Sequence, residues 1–194
     1  AAIGRLQTAG LVQRERGRGS KLPRAAQLEQ SIAPFYSLAA SISQRGMAEH
    51  SIVRHRALEC DGEAAARLGV APETKLVQIQ RLRFADDEPL ALDDSWIVGD
   101  AGRPLLRADL GRGSLYELLA SEANVRITGG TERIRAALPP VSVRKLLALP
   151  RGEATLVVER VAFSGERPVE YRHSMVRGDR FAFVANWSRV SPGL

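Results

Sequence analysis

A shift of 79 residues lays one part of the chain on another, bringing Arg81 onto Arg160, Phe84 onto Phe163 and Pro89 onto Pro168. The first copy reads as a helix over Gly62 to Leu68, capped by Asp61 and ended by Gly69 and Pro72. A strand over Leu76 to Phe84 follows, then an acidic turn over Ala85 to Pro89 and a returning strand over Leu90 to Val98. The second copy repeats the order: a helix over Val141 to Leu149, a break at Pro150 and Gly152, a strand over Thr155 to Phe163 and a turn over Ser164 to Pro168. Two such halves pool their strands into one mostly antiparallel sheet with helices covering a face, which is an α+β arrangement. A cleft between the halves is the expected ligand position. Ahead of the repeat, residues 36–46 fit a short helix closed by Gly46, and Ser51 to Cys60 alternates as a strand.

With 194 residues and 44% hydrophobic content the chain buries a real core, which excludes disorder. No stretch approaches the roughly 18 uncharged apolar residues of a membrane helix, and the N-terminus lacks a signal peptide's apolar centre, so a cytoplasmic protein without membrane contact is expected. The single cysteine, Cys60, cannot form an intrachain disulfide and reads as a small buried apolar residue. Neither it nor His50, His55 and His173 shows metal-ligand spacing, so no metal or cofactor is expected. The net charge of +6 is concentrated: residues 1–24 hold Arg5, Arg14, Arg16, Arg18, Lys21 and Arg24 against Glu15 alone. Residues 1–10 read as a helix end stopping at Gly10, and Gln13 to Lys21 as an extended ribbon turned by glycines, its arginines projecting from one face. Such an arm suits a polyanion, although a solvated basic tail has the same composition. Leu22 to Pro34 reads as a linker of mixed polarity.

Arg81 and Arg83 stand two apart on a strand, so their guanidiniums share a face and can grip one anion; a surface pair bridged to Asp93 or Asp94 is the structural alternative. Gly111-Arg112-Gly113-Ser114 leads into an apolar helix, and Ser114 with Glu117 has capping-box spacing. Free amides at a helix start make an anion site, while capping alone accounts for Ser114 equally well. The run Asp86-Asp87-Glu88 belongs to a hairpin tip, too exposed for tuned acid–base chemistry. No nucleophile and base pair or cofactor loop is present, so no enzyme is expected.

Ala2-Ile3-Gly4-Arg5-Leu6 with Gly10-Leu11-Val12, followed by Gly17-Arg18-Gly19-Ser20, resembles the recognition-helix end and wing of a GntR-type winged helix-turn-helix. Four further blocks resemble the UTRA effector domain of the HutC subfamily: Arg81-Leu82-Arg83-Phe84 with Glu88-Pro89-Leu90, Ser114-Leu115-Tyr116-Glu117-Leu118-Leu119, Pro168-Val169-Glu170, and Arg177-Gly178-Asp179-Arg180-Phe181. The resemblance implies a chorismate lyase-like fold, dimerisation of two identical chains through the effector domain, and a small-molecule pocket whose occupancy changes operator binding, in most relatives by relieving repression. It divides the chain into a winged-helix remnant over 1–24, a linker over 25–34 and an effector domain over 35–194. Arg81, Arg83, Asp93, Ser114, Tyr116 and Glu170 become the implied effector-binding residues, and Arg5, Arg14, Arg16, Arg18, Gly19 and Lys21 the implied DNA-binding ones. Arg160, the repeat equivalent of Arg81, is open to a structural role instead. The chain departs from the family pattern at Val176, where many relatives carry tyrosine, and at Asp93, where glutamate is frequent. An enzyme of the related lyase fold and an interaction module without ligand are the rival readings; turnover of a bound metabolite distinguishes the first, and the lack of any stabilising ligand the second.

Overall fold

The computed structural model describes residues 13–15, 19–21, 28–31 and 38–184. Its strands are β1 (Gln13–Glu15), β2 (Gly19–Lys21), β3 (Leu28–Ser31), β4 (Glu49–Glu59), β5 (Leu76–Ala85), β6 (Glu88–Val98), β7 (Gly129–Ala137), β8 (Thr155–Ser164), β9 (Arg167–Arg177) and β10 (Phe181–Val184). Its helices are α1 (Leu38–Ser43), α2 (Gly62–Leu68), α3 (Gly99–Gly102), α4 (Leu115–Ala123) and α5 (Val141–Leu146), with a 3-10 turn over Arg103–Leu106 continuing α3.

The repeat seen in the sequence is the architecture. The units β4-α2-β5-β6 and β7-α5-β8-β9 build one antiparallel sheet in the order β4-β5-β6-β9-β8-β7. Both hairpins carry a β-bulge at the same repeat position, between Arg83 and Phe84 in one and between Ala162 and Phe163 in the other. At the sheet centre Asp94 pairs with His173, its own repeat equivalent, so a pseudo-twofold axis runs through that pair. Each residue at the middle of β6 therefore has a counterpart close by on β9.

Local chemistry explains the helices. Asp61 caps α2 by accepting the Ala64 amide at 2.8 Å, and Gly69, at φ +65°, ends it in the left-handed conformation that a side chain would strain. α5 is shorter than the expected Val141 to Leu149 because Ala148 turns left-handed at φ +49°, while the Leu149 amide bonds back to the Arg144 carbonyl at 3.0 Å. α1 is likewise shorter than its expected span, closing through hydrogen-bonded turns at Gly46. Cys60, expected to be buried, is exposed: it lies where the edge strand β4 gives way to the α2 cap, and its thiol donates to the Glu73 carbonyl at 3.2 Å.

The largest apolar cluster joins Leu68 of α2, Val77 and Ile79 of β5, Ile97 of β6 and Leu115 and Leu119 of α4. Gly102 lies so close to the sheet that a Cβ would sit 2.6 Å from Val77 Cβ and 3.2 Å from Ile97 Cβ. Both neighbours are β-branched or fully buried and cannot swing away, so Gly102→Ala is expected to destabilise the fold by about 1–3 kcal/mol through overpacking. Urea unfolding of the two proteins measures this.

Two short pairings lie outside the large sheet. β1 and β2 form an antiparallel hairpin in the basic arm, with Arg14 opposite Ser20. β3, inside the stretch read as linker, runs parallel to β10 and brings Leu28 opposite Phe181. Leu28, Ile42 of α1 and Phe181 share a second apolar cluster with Val158 and Val176. β3 and β10 thus cover one face of the sheet together.

Candidate functional site

Residues paired across neighbouring strands share a face. The register Arg81↔Asp93↔Ser174↔Val158 and, one step along, Ser95↔Arg172↔Arg160↔Glu132 therefore places charged and hydroxyl groups from five strands on one surface. Over it lie the start of α4 with Ser114, Leu115 and Tyr116, Leu38 of α1, and Phe181 and Phe183 of β10, enclosing a cavity of about 50 Å³. A second hollow of about 320 Å³ adjoins it between α1 and the approach to α4, bounded by Ala39, Ala40, Ser43, Glu49, Arg112, Gly113 and Glu117.

Four guanidiniums and four carboxylates meet here. Arg83, 2% exposed, donates to Glu49 at 2.6 Å and to Asp93 at 3.4 Å, and its Nε has no partner. Among the described residues Arg81, 1% exposed, reaches only the Gly113 carbonyl, at 3.5 Å, and its Nη2 has no hydrogen-bond partner. Burial, followed by the charge of Arg83, lowers the Arg81 pKa to about 10. Glu170 is fully buried: Oε1 accepts from the Ser95 hydroxyl at 2.8 Å and lies 3.9 Å from Arg172, while Oε2 is without a partner. For Asp93 burial acts upward, but Arg83, Arg172, Arg81 and the Ser174 hydroxyl outweigh it and hold the carboxyl below its ordinary value. Arg160 donates to Glu132 at 2.8 and 3.1 Å and to the Tyr116 hydroxyl at 3.4 Å; Arg172 donates to the same hydroxyl at 3.3 Å and lies over the Tyr116 ring. Burial and the Glu170 charge push Tyr116 up to about 12, so the phenol keeps its proton.

Of the residues singled out in the sequence, Arg83, Asp93, Ser114 and Tyr116 line the cavity, while Arg81 and Glu170 lie buried on the same face beside it. Ser114 also caps α4 in a complete capping box, accepting from the Tyr116 amide at 3.2 Å while Glu117 accepts from the Ser114 amide at 3.2 Å. Arg81 and Arg83 are not a surface pair, since both are buried, although the bridge from Arg83 to Asp93 that the structural alternative named is present. Val176 lines the cavity as a short apolar side chain. Sequence reasoning missed Arg172, Ser174, Glu132 and Glu49, and left Arg160 open; Arg160, Arg172, Ser174 and Glu132 all line the cavity. Arg172 and Ser174 are the repeat equivalents of Asp93 and Ser95, so the 79-residue shift carried a signal for both. For Glu49 and Phe183 there was none, and Phe181 appeared only within the family-like block Arg177 to Phe181, with no role in the cavity. In the basic arm, Arg14 falls in β1, and Gly19 and Lys21 in β2; Arg5, Arg16 and Arg18 lie outside the described residues.

The two halves share one six-stranded antiparallel sheet with a cavity under the start of α4, an α+β domain fold. The UTRA domain model matches residues 44–182, and the chain belongs to that family, in keeping with the HutC subfamily of GntR-type regulators that its motifs resemble. It is 24% identical over 192 residues to the HTH-type transcriptional repressor NagR of Bacillus subtilis strain 168, covering 98% of this chain and 78% of that protein. It is 25% identical over 185 residues to the HTH-type transcriptional regulator GgaR of Escherichia coli K12, covering 94% and 72% respectively. The crystal structure of PhnF from Mycobacterium smegmatis shares the fold with a TM-score of 0.78 at 24% identity, over 96% of this chain and 82% of that one.

Proposed function

We propose that this chain is the effector-sensing part of a homodimeric, DNA-binding transcription repressor of the cytoplasm, and that its cavity binds a small anionic metabolite whose occupancy alters operator binding. It is read as a regulator and not as an enzyme. The observation that carries this reading is the pair of buried, unpartnered donors, Arg81 Nη2 and Arg83 Nε, on the face that forms the cavity wall. A donor buried without a partner costs the protein stability that a bound anion returns. Glu170 Oε2 adds an unpartnered acceptor on the same face, which suits a ligand carrying a hydroxyl or ammonium group beside its anionic group. The basic β1–β2 hairpin supports contact with operator phosphates, and the relatives NagR and GgaR bear the names of transcriptional regulators.

The test is a thermal melt against a panel of sugar phosphates, amino-acid catabolites and phosphonates. A ligand present at 100 times its dissociation constant stabilises by about 2.7 kcal/mol if it binds only the folded state. Arg81→Met should remove that shift. A panel without a single stabilising compound, or a shift that survives Arg81→Met, counts against the assignment.

A further inference from the structure

Glu49 opens β4, a few residues after α1, and its side chain is only 5% exposed. One oxygen accepts the Arg83 guanidinium at 2.6 Å and the Ser51 hydroxyl at 3.4 Å, and the other accepts the Gly113 backbone amide at 3.0 Å. A guanidinium from the sheet, a hydroxyl and a main-chain amide on the glycine-bearing approach to α4 form the donor set that an external carboxylate or phosphoryl group requires. In this structure a side chain of the protein itself holds them. Glu49 also stands at a partition: Arg83 and Ser114 face the smaller cavity, whereas Glu49 and Gly113 face the adjoining 320 Å³ hollow.

Charge bookkeeping decides which group can leave. Arg83 already serves two carboxylates, Glu49 and Asp93, so a ligand anion arriving at Arg83 would put three anions on one cation. Asp93 is held in addition by Arg81 and Arg172, but among the described residues Glu49 pairs with Arg83 alone. The hollow behind Glu49 has room for its carboxylate, and Arg112 on the wall of that hollow supplies a replacement cation.

We infer that Glu49 is the resident occupant of an anion seat formed by Arg83 and the Gly113 amide, and that the ligand's anionic group binds by displacing it. This rests on the reading of the cavity as a ligand site. Affinity is then set by competition with an internal carboxylate, and binding acts on the first residue of β4. That point is mechanically connected: α1 leads into β4 and packs on β3. Displacement of Glu49 thereby gives occupancy a route through α1 to β3.

The opposing account makes Glu49 a positioning residue that orients Arg83 for the ligand, and the two differ in sign. Inorganic phosphate and, separately, sulfate are titrated calorimetrically into wild type, Glu49→Gln and Glu49→Gln/Arg81→Met at constant ionic strength. Glutamine keeps the size and the acceptor for Gly113 while removing the charge. Displacement predicts that Glu49→Gln binds phosphate on the order of tenfold tighter than wild type, the worth of one charge-assisted hydrogen bond, and that adding Arg81→Met abolishes the gain. Glu49→Asp, with a shorter reach, should show a smaller gain, and carries the test if Glu49→Gln does not fold. Affinity that is equal, weaker or unmeasurable in the Glu49 variants overturns the inference. If phosphate instead binds every variant alike, including the one lacking Arg81, the cavity assignment itself fails, which is a distinguishable result.

Discussion

Arg83→Ala is expected to lower the unfolding free energy by about 3–5 kcal/mol, the loss typical when one partner of a buried ion pair is removed. Arg83 is the cation shared by Glu49 and Asp93, whose side chains are 5% and 6% exposed, so alanine leaves two carboxylates in a dry interior without their guanidinium. Urea unfolding at pH 7 measures the loss. Its pH dependence is also determined. Asp93 sits below its ordinary pKa in the folded state, so the stability it contributes is present above about pH 4 and is lost as pH falls through its folded value. In Arg83→Ala the largest share of that contribution is removed, Arg172, Arg81 and the Ser174 hydroxyl keeping the rest, and the difference between the two proteins should narrow in acid. A loss below about 1 kcal/mol at pH 7, the value of an exposed pair, would mean that the three groups do not act as one buried network.

Arg81→Met should do the reverse, raising the stability of the ligand-free protein by about 1–3 kcal/mol while abolishing its response to the ligand. The two arginines stand two residues apart on β5, yet no carboxylate among the described residues lies within ion-pairing distance of Arg81, and one of its guanidinium nitrogens is unpartnered. The depression of its pKa to about 10 expresses the same fact: the folded protein holds this charge against burial and against Arg83. The sign follows from linkage. Both folded and unfolded chains are protonated at neutral pH, so the cost is present in full there and is relieved only as pH rises from about 10 toward the unfolded value. Methionine fills similar volume without charge. A variant less stable than wild type at pH 7 would show that Asp93 and Glu170 depend on Arg81 more than its missing ion pair implies. A gain in stability coupled to loss of ligand response would mark Arg81 as a group kept for binding at the expense of the fold.

Local elements were legible because their determinants lie within a few residues. Asp61 and Gly69 bracket α2, and Ser114 with Glu117 starts α4 through a box of contacts three residues apart. The boundaries of α5 were less legible, since Ala148 adopts a left-handed conformation that no glycine or asparagine announces. The hairpins and their equivalence were legible from the 79-residue shift, whereas the bulges at matched positions emerged only in the structure. Arg81, Arg83, Asp93, Ser114, Tyr116 and Glu170 were each identifiable singly, through spacing or resemblance. Of their partners only Asp93, ten residues from Arg83, was identifiable; the others were not, because Arg83 meets Glu49 across 34 residues of chain, Glu170 meets Ser95 across 75 and Arg172 meets Tyr116 across 56.

The sequence by itself determined the two helix-and-hairpin halves, the helix caps and the concentration of positive charge in the first 24 residues, but not the edge strand β7. These follow from hydrophobic periodicity and short-range hydrogen bonding, which act over one turn of helix or a few residues of strand. Only the tertiary structure decided that β6 and β9 meet at the pseudo-twofold axis, that β3 and β10 pair in parallel over the cavity, and that Glu49 sits on Arg83. Those outcomes depend on which strand edges find each other and on which charges must be neutralised once buried. Both are properties of the assembled sheet, because a carboxylate has a defined partner only after folding has removed water from around it.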